Sequence, residues 1–112
     1  MVDANHKTYS LDCRDLVYSV IIPAYNEELL LPATLSSLQL AMDSIPHKGE
    51  IIVVDNNSND KTLSILEQFK KQYPEIFRII SNSENLGFSK GVNQALSFVS
   101  NPICIHLYIL FV

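Results

Sequence analysis

The chain has two cysteines, three glycines and no run of basic residues in its 112 positions. Each shortage excludes something. Cys13 lies in a polar stretch and Cys104 in an apolar one, which is neither a disulfide framework nor metal-ligand spacing. They read as free thiols of a reducing compartment. A net charge of −4 with no basic run argues against nucleic acid or an anionic membrane surface as main partner. Met1 to Leu16 is polar and lacks the apolar stretch of a secretory signal. Residues 1–16 are therefore expected to form a flexible leader, and residues 17–112 a folded domain. The apolar run from Ile103 to Val112, broken by His106, is too short to cross a bilayer, which takes about 20 residues. It is expected to hold a buried strand. No Gly-x-Gly-x-x-Gly follows the first strand and no P-loop occurs, so those nucleotide-binding modes are set aside. His6, His47 and His106 are scattered, without metal-ligand partners.

What is present is an ordinary globular balance, 47% hydrophobic and 18% charged. Val17 to Pro23 is a continuous apolar run of the kind found in strands covered on both faces. Leu31, Leu35, Leu38, Met42 and Ile45 share one helical face. Pro32 fits the start of that helix better than its interior, so a separate turn is expected at residues 27–30. Glu50 to Val54 is a second buried strand. A helix striped by Leu63, Leu66, Phe69 and Tyr73 follows, then a strand from Phe77 to Ser81. Phe88, Val92, Ala95, Leu96 and Val99 stripe a third helix. A fourth strand runs from Ile103 to about Leu107.

This alternation predicts an α/β fold: a Rossmann-like parallel sheet of about four strands with helices on both faces. Ligands bind such sheets beyond the C-terminal ends of the strands. The polar clusters fall there: Ala24-Tyr25-Asn26-Glu27 after the first strand, Asp55 to Asp60 after the second, Asn82 to Gly91 after the third.

Those three segments carry a family resemblance. Ser19 to Glu28 (Ser-Val-Ile-Ile-Pro-Ala-Tyr-Asn-Glu-Glu), Glu50 to Thr62 and Asn85 to Ala95 resemble, in order and spacing, the opening half of family 2 glycosyltransferases. The resemblance covers about residues 17 to 107. It implies the nucleotide-sugar half of the GT-A fold, here truncated. The implied activity is transfer of a sugar from a UDP-, GDP- or dTDP-linked donor to an acceptor hydroxyl, with inversion.

The residue types fit that chemistry. Tyr25 can stack on a base, which is worth about 1–3 kcal/mol, or can be a half-buried surface tyrosine. Glu27 can accept a ribose hydroxyl, or can complement a helix dipole. Asp55 and Asn56 stand where the family commonly has two acids that meet base and ribose. Asn56 can both accept and donate, which leaves the base preference open. Ser58 and Asp60 read as cap and turn residues. Gly87 allows a tight turn or close ligand approach. Gly91 inside a helix hints at close packing or approach to a diphosphate. Lys90 can neutralise a phosphate or be a solvated surface lysine. Ala24, Tyr25, Glu27, Asp55, Asn56, Gly87 and Lys90 are therefore the candidate nucleotide-sugar residues.

The resemblance ends after the fourth strand. The family places an Asp-x-Asp motif there, which holds Mg or Mn against the diphosphate. A later carboxylate serves as general base. This sequence reads Tyr108-Ile109-Leu110-Phe111-Val112, with no ligand for a hard cation. No catalytic residue and no metal ligand are assigned, and the chain alone is expected to be inactive. Two explanations stay open: a piece of an enzyme whose tail is altered by frameshift, splicing or gene damage, or a short protein that kept a nucleotide pocket without catalysis. A cytoplasmic location is expected, with any membrane association arising from parts outside this region.

Overall fold

A computed structural model describes residues 17–99 and 101–109. The predicted leader 1–16, with Cys13, and the last three residues lie outside the described residues. The elements are β1 (Tyr18–Ala24), α1 (Leu31–Asp43), β2 (Gly49–Asp55), α2 (Thr62–Gln72), β3 (Phe77–Ser81), α3 (Gly87–Leu96) and β4 (Ile103–His106). All four strands run parallel in the order β3-β2-β1-β4.

The β-branched runs predicted as doubly covered strands are just that. Every residue of β1 and β2 is buried. Even-numbered residues of β1 (Tyr18, Val20, Ile22, Ala24) pack with Ile51 and Val53 of β2 under Leu31, Leu35, Met42 and Leu66 of α1 and α2. On the other face, Ile21, Ile52 and Val54 meet Val92 and Ala95 of α3. Helices thus cover both faces. Each fully buried aliphatic side chain contributes about 1.5–3 kcal/mol relative to exposure.

Local chemistry sets the boundaries. Leu31 N donates to Glu27 O at 2.9 Å, closing the separate turn expected before α1. Pro32 sits in the first turn of α1, where its missing N–H is harmless. Ser44 closes α1 through Oγ donating to Ala41 O, so Ile45 falls past the helix, 44% exposed. That corrects its expected place on the buried face. Gly49 lies against the ring of Tyr18, its partner in register, which leaves no room for a Cβ.

The expected burial of β4 is also corrected. Among the described residues, β4 is an edge strand, paired with Tyr18–Ile21 alone. Ile103 is 54% and Ile105 45% exposed, and His106 is exposed, because the sheet has no strand beyond them among the described residues. A buried polar knot anchors this edge. Glu50, 4% exposed, accepts from Ser19 Oγ (2.7 Å) and from Asn101 Nδ2 (2.9 Å), and pairs with Arg78 Nε at 3.4 Å.

Candidate nucleotide-binding cleft

The loops after β1 and β2 leave the C-terminal end of the sheet side by side, and polar side chains staple them. Three successive N–H groups that open the α1 unit find acceptors on the second loop. Asn26 N donates to Ser58 Oγ (2.9 Å), Glu27 N to Thr62 Oγ1 (2.8 Å) and Glu28 N to Asp60 Oδ2 (3.3 Å). Asn59 N donates back to Asn26 Oδ1 at 2.9 Å. Asp60 Oδ1 also takes Thr62 N at the start of α2. Ser58 and Asp60 are therefore loop-organising residues, as their types implied. Asn26 and Asn57 hold left-handed conformations, with φ of 51° and 64°, which asparagine tolerates better than most residues.

A second set of amides ties the third loop to the end of β2. Asn82 Nδ2 donates to Asn56 Oδ1 (3.0 Å) and to Gln94 Oε1 (2.9 Å), and Gln94 Nε2 returns a bond to Asn82 Oδ1 (2.8 Å). Asn56 Nδ2 reaches Gly87 O at 3.3 Å. Gly87 has φ of +80° with open space around it, so its glycine serves the turn that starts α3. Gly91 serves close packing: a Cβ there would stand 3.2 Å from Asn56 Nδ2 and 3.4 Å from Val54 Cγ1.

Between these loops lies a cleft of about 340 Å³ lined by Tyr25, Glu27, Asn56, Asn85, Gly87 and Phe88. Four of the seven predicted residues meet there: Tyr25, Glu27, Asn56 and Gly87. Three do not line it. Ala24 is 1% exposed in the core, and its carbonyl accepts Asn56 N. Asp55 is 2% exposed, with Oδ1 accepting Ser58 N at 3.3 Å, which is the turn-forming role. Lys90 is exposed on α3. Phe88 was expected on the buried stripe of α3, yet it is 53% exposed on the cleft wall. Helical periodicity carried no signal of this, and the sequence offered only that Phe88 follows Gly87.

Two acids lie close together beside the cleft. Burial and the nearby Asp60 push the Glu27 carboxyl above its ordinary value. Asp60 is pushed up by burial, but hydrogen bonds from Thr62 and Glu28 outweigh this and hold it below the usual range. Among the described residues, Glu27 is the only carboxylate lining the cleft. No group of three His, Cys, Asp or Glu side chains is placed to hold a metal among the described residues. Leu107, Tyr108 and Ile109, which follow β4, carry no carboxylate. The described residues offer no ligand set for a divalent ion. No helix among the described residues is long and apolar enough to cross a membrane.

A parallel sheet in the order 3-2-1-4, with a cleft beyond its strand ends, defines a Rossmann-like α/β unit. The sequence profile described as glycosyl transferase family 2 matches residues 19–112, and the chain belongs to that family. It is 45% identical over 87 residues to the uncharacterized glycosyltransferase YfnE of Bacillus subtilis, a match covering 78% of this chain and 21% of that protein. It is 36% identical to a poly(ribitol-phosphate) beta-glucosyltransferase of Bacillus spizizenii, over 84% of this chain and 14% of that one. The chain thus spans well under half the length of these relatives. Among solved structures, Staphylococcus aureus TarS 1–349 in complex with UDP-GlcNAc superposes with a TM-score of 0.70 at 29% identity, covering 83% of this chain and 26% of that one. The mannosyltransferase PcManGT of Pyrobaculum calidifontis, in complex with GDP-Man and Mn2+, gives 0.65 at 28% identity, over 74% and 24%.

Proposed function

We propose that this chain is the donor-binding part of a longer inverting glycosyltransferase, whose cleft holds the base and ribose of a nucleotide sugar. The sugar passes to an acceptor hydroxyl at a centre completed by residues outside the chain. One observation carries this: the three segments shared with the family wall a single cleft at the C-terminal end of the parallel strands. Tyr25, 41% exposed, offers its ring to the base. The half-buried Glu27 carboxylate accepts a ribose hydroxyl. Asp55 and Asn56 act by holding the loops. The first turn of α3, from Gly87 to Lys90, favours the negative diphosphate through its N–H groups and the lysine charge. The ligands of TarS and PcManGT support a uridine or guanosine diphosphate sugar, with dTDP as the third choice. The divalent ion that the family resemblance implies finds no ligand set among the described residues, so none of their roles runs through it.

The free thiol of Cys104 fits a cytoplasmic location, with any membrane attachment made elsewhere in the longer protein. A non-catalytic nucleotide-binding module is the second reading. It is favoured by the described segment after β4, where Leu107, Tyr108 and Ile109 supply no carboxylate at the place the resembled family has its Asp-x-Asp motif.

Titration of the chain with UDP, GDP and dTDP, followed by NMR, tests the proposal. Resonances of Tyr25, Glu27 and Gly87 should move, and Tyr25→Ala should weaken binding by about 1–3 kcal/mol. Shifts confined to the groove at the opposite end of the sheet, lined by Tyr18, Gln39 and His47, would refute it. The chain alone should form no acceptor-linked product; any turnover would show the inactivity to be wrong.

A further inference from the structure

The Phe88 ring has no part in the roles above. It follows the left-handed Gly87 and stands 53% exposed on the cleft that Tyr25 also lines. One helical turn on, Val92 is 5% exposed against the sheet, so the apolar face of α3 is already satisfied without Phe88. The Phe88 ring is held from another direction. Tyr108, just past β4, meets it edge to face, with centroids 5.5 Å apart and planes at 66°. Such pairs are favourable beyond their buried area and limit the rotamers of both rings. An exposed aromatic ring held in place beside a cleft suits a planar ligand.

We propose that Phe88, steadied by Tyr108, is the second aromatic wall of the cleft and grips the flat base together with Tyr25. This rests on the nucleotide reading given above. It adds a second source of affinity, the base, beside the diphosphate contact of the α3 first turn. A nucleoside should then bind without its diphosphate, and loss of the Phe88 ring should weaken nucleoside and diphosphate by the same factor.

The test titrates the full chain with uridine, UDP, guanosine and GDP. Fold is checked in each variant by its amide NMR spectrum. Phe88→Leu keeps apolar bulk but removes the ring face. It and Phe88→Ala should each lose about tenfold or more in affinity for nucleoside and nucleotide alike. Tyr108→Ala should lose less. Phe98→Ala removes an equally exposed ring from a different groove, lined by Arg78 and Ile80, and should bind as the wild type does. Wild-type affinity in Phe88→Leu would overturn the proposal. If Tyr25→Ala still failed to bind in that case, the nucleotide site would stand with its second wall elsewhere. A folded wild-type chain that binds none of the four ligands would overturn both.

Discussion

The two ends of β2 bury polar side chains for different purposes. At its start, Glu50 is enclosed, and its carboxylate is taken up by Ser19, Asn101 and Arg78. At its end, Asp55 and Asn56 are as deeply buried, at 2% and 1%, yet they lie beside or beneath an open cleft. The first knot joins residues far apart in sequence and ties β4 to the sheet. The second holds loops so that other residues, Tyr25, Glu27 and Phe88, face outward. Burial of a polar group therefore says little by itself about whether it touches a ligand. Its neighbours decide.

The comparison breaks most sharply at Glu50. Glu50→Ala would leave the buried Ser19 hydroxyl and the Arg78 guanidinium without their acceptor, while Asn101 Nδ2 keeps Ser19 Oγ at 2.8 Å. Unpaired buried groups cost about 1–3 kcal/mol each. Because Arg78 is about half exposed, its share is small, and a loss of about 2–3 kcal/mol is expected in urea unfolding. The cleft lies at the other end of the sheet, so nucleotide affinity of the folded fraction should not change. A parallel fall in affinity would show that the two ends are coupled.

Asn56→Asp gives the next largest effect and would restore the acidic pair common in the family. Asn56 Nδ2 donates to Gly87 O, and a carboxylate cannot. The new charge would also lie beside Asp55 and against a carbonyl. A loss of about 1–2 kcal/mol is expected, with the α3 start loosened, read by hydrogen exchange at Gly87 and Phe88. An unchanged or raised melting temperature would mean that the amide network does not hold this loop.

The fold was legible in the sequence because its signals were local and redundant. Continuous β-branched runs, helical stripes and Pro32 each pointed to the same elements, and those elements exist. The doubly covered sheet follows from them. The cleft was legible to the extent that polar segments follow strands, which put Tyr25, Glu27, Asn56 and Gly87 together. Spacing along the chain could not show that Asp55 turns to Ser58 N, since a strand-end carboxylate suits a turn and a ligand equally well. Periodicity likewise assigned Phe88 to the core, because it shares a face with Val92 and Ala95. Only the geometry of the first turn, set by Gly87, takes it outward. The amide triad of Asn56, Asn82 and Gln94 joins three elements, and Glu50 meets Asn101 across most of the remaining chain. Neither contact leaves a local pattern.

The smallest expected effect sharpens the contrast at the cleft end. Glu27 and Asp60 lie near each other with opposite shifts: burial and Asp60 raise Glu27, whereas hydrogen bonds lower Asp60. A carboxyl raised in the folded state contributes stability that is full below its unfolded value and lost as pH rises through its folded value. A lowered one contributes stability present above its unfolded value and lost as pH falls through its folded value. Glu27→Gln removes the first without touching the backbone bond from Glu27 N to Thr62 Oγ1. The variant should therefore melt slightly above the wild type at neutral pH. The difference should vanish in acid, where Glu27 of the wild type is already protonated. Ligand binding should move the other way at neutral pH, since the amide is a weaker acceptor for a ribose hydroxyl than the carboxylate. Thermal melts from pH 3 to 8, paired with uridine titrations at pH 7, separate the two effects. A variant that gains stability and loses no affinity would leave Glu27 as a residue of the α1 turn alone.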